Sequence, residues 1–288
     1  IGTFRNPLRM IWVRFVATPV LPAEDKRVKV RTSSMSDTSG VWTRGTGDGR
    51  PMLLCCPHSG GSARHFREWQ ENTDRLAIRA VQYPGRHDRI NDALATSVNE
   101  IAAPVVAELR ACDTPIIPFG HSMGAVVAFE IARRLIQSGN DVPGLVVSAH
   151  RAPLYRSTSD IHLQNDDEMW RRLAAMGGTA PELLQLEELR NLYTPILRAD
   201  LTISTEFHDP NASGCLDIPV IALAGQDDTT VSVDTLEQWR DVTTGPFTLR
   251  SFVGGHFYLD DHVPHILGLI QETLELPPTT DYPELPWV

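Results

Sequence analysis

A serine flanked by small residues is the first candidate for chemistry in this chain. The segment Gly-His-Ser-Met-Gly at 120–124 lies between an apolar run at 116–119 and an amphipathic segment that begins at Met123. In a sharp turn from a strand into a helix, two such glycines let the serine hydroxyl stand clear of the backbone. The start of the helix also presents unpaired N–H groups where a negatively charged oxygen would form. The pattern predicts Ser122 as a nucleophile and the Met123 N–H as an oxyanion-hole donor.

A serine nucleophile needs a base, and the base needs an acid that orients it. After a strand-turn-helix nucleophile, the acid is expected before the histidine along the chain. A Gly-Gln-Asp-Asp segment at 225–228 and a Gly-Gly-His segment ending at His256 each follow an apolar run directly. We predict His256 as the base and Asp228 as the acid, with Asp227 as the alternative acid and otherwise a turn acceptor. The positions of four other histidines suit the base less well: His58, His121, His262 and His265.

The second oxyanion donor should come from the loop after the early strand at 52–56. That loop reads Pro-His-Ser-Gly-Gly-Ser at 57–62, and its glycines allow the backbone to approach a bound carbonyl closely. We predict the N–H of Ser59 as the partner of the Met123 N–H. An alternative is that Gly60 and Gly61 cap the following helix, and the two roles are compatible.

The elements that must position these residues follow an alternating pattern. Apolar runs without polar alternation predict buried parallel strands at 52–56, 78–83, 116–119, 145–149, 220–224 and 247–253. Amphipathic runs predict helices between them at 63–72, 98–111, 123–138, 233–241 and 262–276. This order predicts the α/β class, with a mostly parallel central sheet flanked by helices.

One connection is too long for this pattern. About seventy residues separate the strand that ends near 149 from the strand that starts near 219, where a few are usual. Helical patterns occur within this connection at 166–175 and 181–193. We therefore predict an inserted helical lid at about 151–215, which would shape substrate access.

Composition excludes several classes of function. The chain of 288 residues carries 26 Lys+Arg against 36 Asp+Glu, a net charge of −10. Nucleic acid and anionic membrane are not expected as partners of such an acidic chain, because their binding rests on clustered basic residues. The four cysteines have no metal-ligand or disulfide spacing, and buried or half-buried thiols are expected. No metal site is predicted.

The amino-terminal stretch differs from the rest. Residues 1–34 carry seven Lys/Arg against two Asp/Glu, and the apolar run at 10–20 is too short to span a bilayer and has no clear signal-peptide anatomy. We predict that residues 1–50 are a disordered or non-native extension, with Met35 a candidate natural start. Residues 51–288 are predicted to be one hydrolase domain that contains the lid.

The motifs together resemble one family. From about 51 to 276, their order and spacing are similar to those of the type II thioesterases of polyketide and nonribosomal peptide assembly lines, members of the α/β-hydrolase superfamily. Ser59 stands where the family often has alanine, which matters little if only its N–H is used. The motifs that carry the resemblance are the loop at 57–62, Gln-Tyr-Pro-Gly-Arg at 82–86 with Arg89, the serine motif at 120–124, Leu-Arg-Ala-Asp at 197–200 and Gly-Gly-His-Phe at 254–257.

The resemblance implies a substrate and a partner. It implies hydrolysis of acyl or aminoacyl thioesters from the phosphopantetheine arm of acyl or peptidyl carrier proteins, which removes aberrant groups from the synthase. Some relatives release medium-length fatty acyl chains, and a general small-ester hydrolase and a non-catalytic binding protein of the same fold are further alternatives. We expect a cytoplasmic monomer that needs no cofactor beyond the arm its substrate carries.

Four further residues have two interpretations each. Arg86 and Arg89 follow a strand end, where they would meet the phosphate of the arm or the acidic carrier, or pair with nearby acids such as Asp88 and Asp92. Trp170 and Met176 have helical spacing with Met169 and Leu173, and would line an acyl chamber or form the core of the lid.

Overall fold

A seven-stranded sheet forms the centre of the computed structural model, which describes residues 42–45, 48–177 and 186–276. The strands are β1 (Thr43–Gly45), β2 (Met52–Cys56), β3 (Ala77–Val81), β4 (Ile116–His121), β5 (Leu145–Ser148), β6 (Val220–Gly225) and β7 (Phe247–Phe252). Their spatial order is β1-β3-β2-β4-β5-β6-β7. Only β1 runs antiparallel to its neighbour, and the other pairs are parallel. The predicted α/β class and mostly parallel sheet are confirmed.

The helices between the strands lie close to their predicted positions. They are α1 (Val98–Leu109), α2 (Met123–Gln137), α3 (Asp166–Ala175), α4 (Glu187–Glu206), α5 (Val233–Glu237) and α6 (Val263–Thr273). The predicted helix at 63–72 is instead a 3-10 helix, Ala63–Asn72, and the one at 233–241 continues beyond α5 as a 3-10 segment, Gln238–Val242. None of the helices in the described part of the chain is long and apolar enough to cross a bilayer.

The sheet is buried on both faces because its strands are apolar on both sides. In β2, Leu54 and Cys56 face one core cluster together with apolar residues of α1 and α2. Leu53 and Cys55 face the opposite cluster, which includes Phe66 of the 3-10 helix and residues of α6. This sandwich of helices around a sheet explains the continuous apolar runs in the sequence. It also holds the carboxyl ends of the strands at one common edge.

The lid has a small apolar core of its own. α3 and α4 lie between β5 and β6 in the chain, as predicted for the insertion at about 151–215. Residues 181–185 of the second predicted lid helix lie outside the described residues, and α4 extends well past the predicted end at 193. The buried members of this core are Ile161, Met169, Trp170, Leu173, Tyr193, Ile196, Leu197 and Leu201.

The sheet begins earlier than the predicted domain boundary at 51. β1 pairs with β3, and the Thr43 hydroxyl donates to Glu108 Oε1 of α1 at 2.5 Å. The backbone N–H of Trp42 also donates to the Glu108 carboxylate, at 2.6 Å. These residues therefore belong to the same domain as the sheet rather than to an extension. Residues 1–41 and 46–47 of the predicted extension lie outside the described residues.

The four cysteines have the predicted environments. Cys55 and Cys56 are buried, Cys112 and Cys215 are half-buried, and all four are free thiols. Burial raises the pKa of the Cys55 and Cys56 thiols well above the ordinary range. Neither β2 thiol therefore offers a thiolate at neutral pH.

Candidate active site

Ser122 lies on a strained turn between β4 and α2. Its φ is 54° and its ψ is −125°, a backbone conformation that side-chain-bearing residues rarely adopt. A Cβ atom on Gly124 would lie 1.9 Å from the Cys56 carbonyl oxygen, and one on Gly120 would lie 2.0 Å from the Gly124 carbonyl oxygen. The chain can therefore make this turn only with glycine at both positions, which explains why the motif has glycine on either side of Ser122.

His256 and Asp228 complete a hydrogen-bonded array with Ser122. His256 Nε2 lies 3.1 Å from Ser122 Oγ, and His256 Nδ1 lies 2.7 Å from Asp228 Oδ2. With its proton on Nδ1, the ring donates to the carboxylate and can accept from the serine hydroxyl. The side chains of His256 and Asp228 are 4% and 1% exposed, so solvent screens their interaction little. The predicted proximity of the three side chains is found.

Thr230 supports the carboxylate of Asp228, a contact that the sequence motifs did not predict. Its backbone N–H and hydroxyl donate to Asp228 Oδ1 at 2.8 Å and 2.7 Å. Burial raises the pKa of Asp228, but the hydrogen bonds from His256 and Thr230 outweigh burial and leave the pKa below its ordinary value. The signal in the sequence was an aspartate followed two residues later by threonine, a common turn pattern.

Asp227 points to a different part of the same turn. Its backbone N–H donates to the Gly254 carbonyl at 2.9 Å, and its Oδ2 accepts from the Gly254 N–H at 3.3 Å. The residue is exposed, whereas the side chain of Asp228 is buried against His256. The geometry thus gives Asp227 the turn-stabilising role that was predicted for it if Asp228 is the acid.

The residues 57–62, called the oxyanion loop below, lie beside Ser122. Ser59 and Ser122 line the same cavity. In the described part of the chain, neither the Ser59 N–H nor the Met123 N–H donates to another protein group. Because an oxyanion hole needs free N–H groups, these two amides remain the predicted oxyanion donors.

Two buried histidines, His121 and His58, lie in the neighbourhood of His256. The ring of His121 lies 5.2 Å from that of His256, measured between centroids, and its Nδ1 lies 2.8 Å from Ser148 Oγ. Burial, and then the charge of His256, lowers the pKa of His121 well below its ordinary value. Burial likewise lowers the pKa of His58, followed by the charge of His65. These rings therefore add little positive charge beside His256 at neutral pH.

The hydroxyl of Ser122 opens into a cavity of about 640 Å³. The lid supplies part of its apolar wall, including Leu173, Met176 and Leu201. Trp170 does not line it, because its ring lies in the lid core and its Nε1 donates to Thr194 Oγ1 at 2.8 Å. Of the two predicted acyl-chamber residues, Met176 thus lines the cavity and Trp170 belongs to the lid core.

Arg86 and Arg89 are buried away from this cavity. Arg86 is 3% exposed and pairs with Asp200 of α4. Arg89 donates to Asp92 Oδ2 at 2.7 Å, and its guanidinium lies 4.0 Å from the centroid of the Trp42 ring. Neither side chain is placed to contact an arm or a carrier, so the structural interpretation replaces the binding one. Asp92 is the predicted partner of Arg89, whereas the partner of Arg86 comes from the lid.

Comparison with known proteins identifies the family. The sequence matches the thioesterase domain family over residues 51–274. It is 38% identical over 244 residues to thioesterase PikA5 of Streptomyces venezuelae, an alignment that covers 82% of this chain and 86% of that protein. Among solved structures, the type II thioesterase BorB of the borrelidin biosynthetic cluster has 38% identity and a TM-score of 0.73, covering 81% of this chain and 97% of that one. YbtT, a type II thioesterase of the yersiniabactin pathway, has 30% identity and a TM-score of 0.75, covering 81% and 98%.

The matched region contains β2 to α6 and the whole array around Ser122. The family and the fold of these relatives agree with the mostly parallel sheet and the elbow described above. The chain belongs to the thioesterase family and, within it, to the type II thioesterases of polyketide and nonribosomal peptide synthesis.

Proposed function

We propose that the protein hydrolyses acyl or aminoacyl thioesters carried on the phosphopantetheine arm of carrier protein domains and so removes aberrant groups from a synthase. The observation that carries this proposal is the array of Ser122, His256 and Asp228 at the wall of a cavity large enough for an acyl group. Membership in the type II thioesterases supports the choice of a thioester held by a carrier. The chemistry needs no cofactor of the protein's own.

In the first half of the proposed reaction, Ser122 Oγ attacks the thioester carbonyl carbon. His256 Nε2 takes the hydroxyl proton as the new C–O bond forms, and Asp228 stabilises the resulting imidazolium. The N–H groups of Ser59 and Met123 donate to the oxyanion. The C–S bond then breaks, and the proton passes from His256 to the departing thiolate. Because a thiol is a good leaving group, this step needs less acid assistance than amide cleavage.

In the second half, water cleaves the acyl-serine. His256 removes a proton from the water as its oxygen attacks the ester carbon, and the same two amides hold the second oxyanion. Collapse of this intermediate breaks the bond to Ser122 Oγ, and His256 returns the proton to that oxygen. The products are the free acid and the restored enzyme.

A comparison of three substrates with one acyl group tests this proposal. We expect kcat/KM to be at least about tenfold higher for the acyl-carrier than for the matching acyl-pantetheine, because only the first offers carrier contacts. A small soluble ester of the same acid should be slower than either thioester. Equal rates with and without the carrier, together with fast ester turnover, would favour the small-ester hydrolase. A preference confined to medium-length fatty acyl groups would favour chain release.

Arg156 is the candidate for recognising the anionic part of the substrate. Four arginines line the cavity wall. Arg151 donates to backbone carbonyls at the end of α4, and Arg171 and Arg172 pair with Glu168. The exposed side chain of Arg156 has no partner among the described residues. The positive charge of Arg156 is therefore available to pair with a phosphodiester or a carrier carboxylate.

The variant Arg156→Ala is expected to raise KM for the acyl-carrier by about fivefold, the weight of one solvent-exposed charge pair, and to leave kcat unchanged. KM for an acyl-N-acetylcysteamine thioester, which lacks phosphate and carrier, should stay the same. The matched control is Arg110→Ala, which removes an exposed arginine at the end of α1 that does not line the cavity. Equal effects of the two variants on the acyl-carrier would contradict this role.

A further inference from the structure

A buried carboxylate joins the lid to the oxyanion loop. Asp200 lies in α4, is 2% exposed, and does not line the cavity beside Ser122. Its Oδ2 accepts a hydrogen bond of 2.7 Å from the backbone N–H of Gly60, a residue 140 positions away in the chain. The Asp200 side chain thus links the lid helix α4 to the backbone of the oxyanion loop.

Arg86 fixes the carboxylate in this position. Its Nη2 donates to Asp200 Oδ1 at 2.8 Å, and its Nη1 donates to Asp200 Oδ2. Nη1 also lies 3.4 Å from the Gly61 carbonyl oxygen, and Nε donates to the Pro84 carbonyl at 3.2 Å. The two-pronged geometry leaves the carboxylate little freedom to rotate. It ties α4, the loop after β3 and the oxyanion loop together.

The hydrogen bond between the Gly60 N–H and Asp200 affects the orientation of the neighbouring Ser59 amide. Gly60 has a φ of 77°, and the Gly61 N–H donates to the His58 carbonyl at 2.9 Å, so residues 58–61 form a tight turn. Ser59 sits inside this turn, directly before the residue that Asp200 holds. The hydrogen bond to Asp200 fixes the peptide plane between Ser59 and Gly60, and the turn constrains the preceding plane, which carries the Ser59 N–H.

We propose that Asp200 is a positioning residue for the oxyanion hole, and that it acts on the reaction through Gly60 and Ser59 without touching the substrate. The inference rests on the proposed function, because it gives the Ser59 N–H its role as an oxyanion donor. The same helix presents Leu201, the next residue, to the cavity. α4 therefore both forms part of the acyl-binding wall and holds the oxyanion loop in place.

Two double variants separate positioning from simple stabilisation. Asp200→Leu with Arg86→Met removes both charges, so no unpaired charge is left buried, and it also removes the acceptor for Gly60. Asp200→Asn with Arg86→Met also removes the ion pair, but it keeps a side-chain amide oxygen that can accept from the Gly60 N–H. Glu130→Gln is the matched control, because Glu130 is a buried carboxylate paired with Arg133 and Arg134 far along α2.

We expect kcat of the Leu/Met variant to fall about 10²-fold, the scale of a misplaced reacting group, with KM unchanged within about threefold. The Asn/Met variant should regain at least about tenfold of that loss, and Glu130→Gln should keep kcat within about threefold. Urea unfolding midpoints are measured for all of them. The proposal is overturned if the Leu/Met variant keeps the wild-type kcat, or if the two double variants share one reduced kcat.

If a double variant does not fold, Asp200→Glu replaces it. This variant keeps the charge but extends the carboxylate by one methylene, and positioning predicts a lower kcat at an unchanged KM and unfolding midpoint. An unchanged kcat would overturn the proposal. The same assay with Ser122→Ala distinguishes the two levels of inference, since release by that variant would end the proposed function itself, whatever the Asp200 variants do.

Discussion

The Ser122→Ala protein is expected to release free acid from an acyl-carrier at least about 10⁴-fold more slowly than the wild type. The oxygen that His256 Nε2 faces at 3.1 Å is the one this change removes. Substrate binding depends on the cavity and should persist, so KM should change little while kcat falls. The measurement is the single-turnover rate of acid release, followed by chromatography of the product.

The control for this prediction is Ser138→Ala at the other end of α2. Ser138 is exposed, and its hydrogen bonds at the end of α2 come from its backbone N–H, which alanine keeps, so this variant makes the same chemical change away from the array. Its kcat should equal that of the wild type. A fluorophosphonate should label the wild-type protein at Ser122 and leave the Ser122→Ala protein unlabelled. Undiminished acid release by Ser122→Ala, or labelling elsewhere, would contradict the proposed nucleophile.

The local parts of the site could be predicted because short segments determine them. The glycines at 120 and 124 are required by close backbone contacts, so the five residues 120–124 are enough to predict the turn around Ser122. Asp228 and His256 come directly after strands whose carboxyl ends share one edge of a parallel sheet, and that edge follows from the alternating pattern. The proximity of the three side chains could thus be expected before any contact was known.

Long-range contacts could not be predicted in this way. Nothing near Arg86 in the sequence indicates that its partner lies in the lid, 114 residues further on, although Asp200 belongs to the Leu-Arg-Ala-Asp motif that contributes to the family resemblance. β1 was missed because Thr43–Gly45 is three residues long and has no apolar run. It is recognisable as a strand only from its pairing with β3. In both cases the decisive interaction joins segments whose approach is set by the whole fold.

The second large effect on kcat is expected at one of two adjacent aspartates. We expect Asp228→Asn to lower kcat by about 10⁴-fold, because an amide cannot stabilise the imidazolium and can hold His256 in the wrong tautomer. Asp228 Oδ2 lies 2.7 Å from His256 Nδ1, whereas Asp227 contacts the backbone of Gly254. Asp227→Asn keeps an acceptor of similar shape for that backbone N–H and should lower kcat by no more than about threefold.

The two Asn variants serve as controls for each other, since they make the same chemical change at neighbouring positions of one turn. The rates are compared on an acyl-pantetheine thioester, which removes any effect on carrier docking, and unfolding midpoints are recorded alongside. The result that contradicts the assignment is a larger loss in Asp227→Asn than in Asp228→Asn at equal stability. Thr230 donates two hydrogen bonds to Asp228 Oδ1, and Thr230→Val removes only the one from the hydroxyl, so its kcat should lie between those of the wild type and Asp228→Asn.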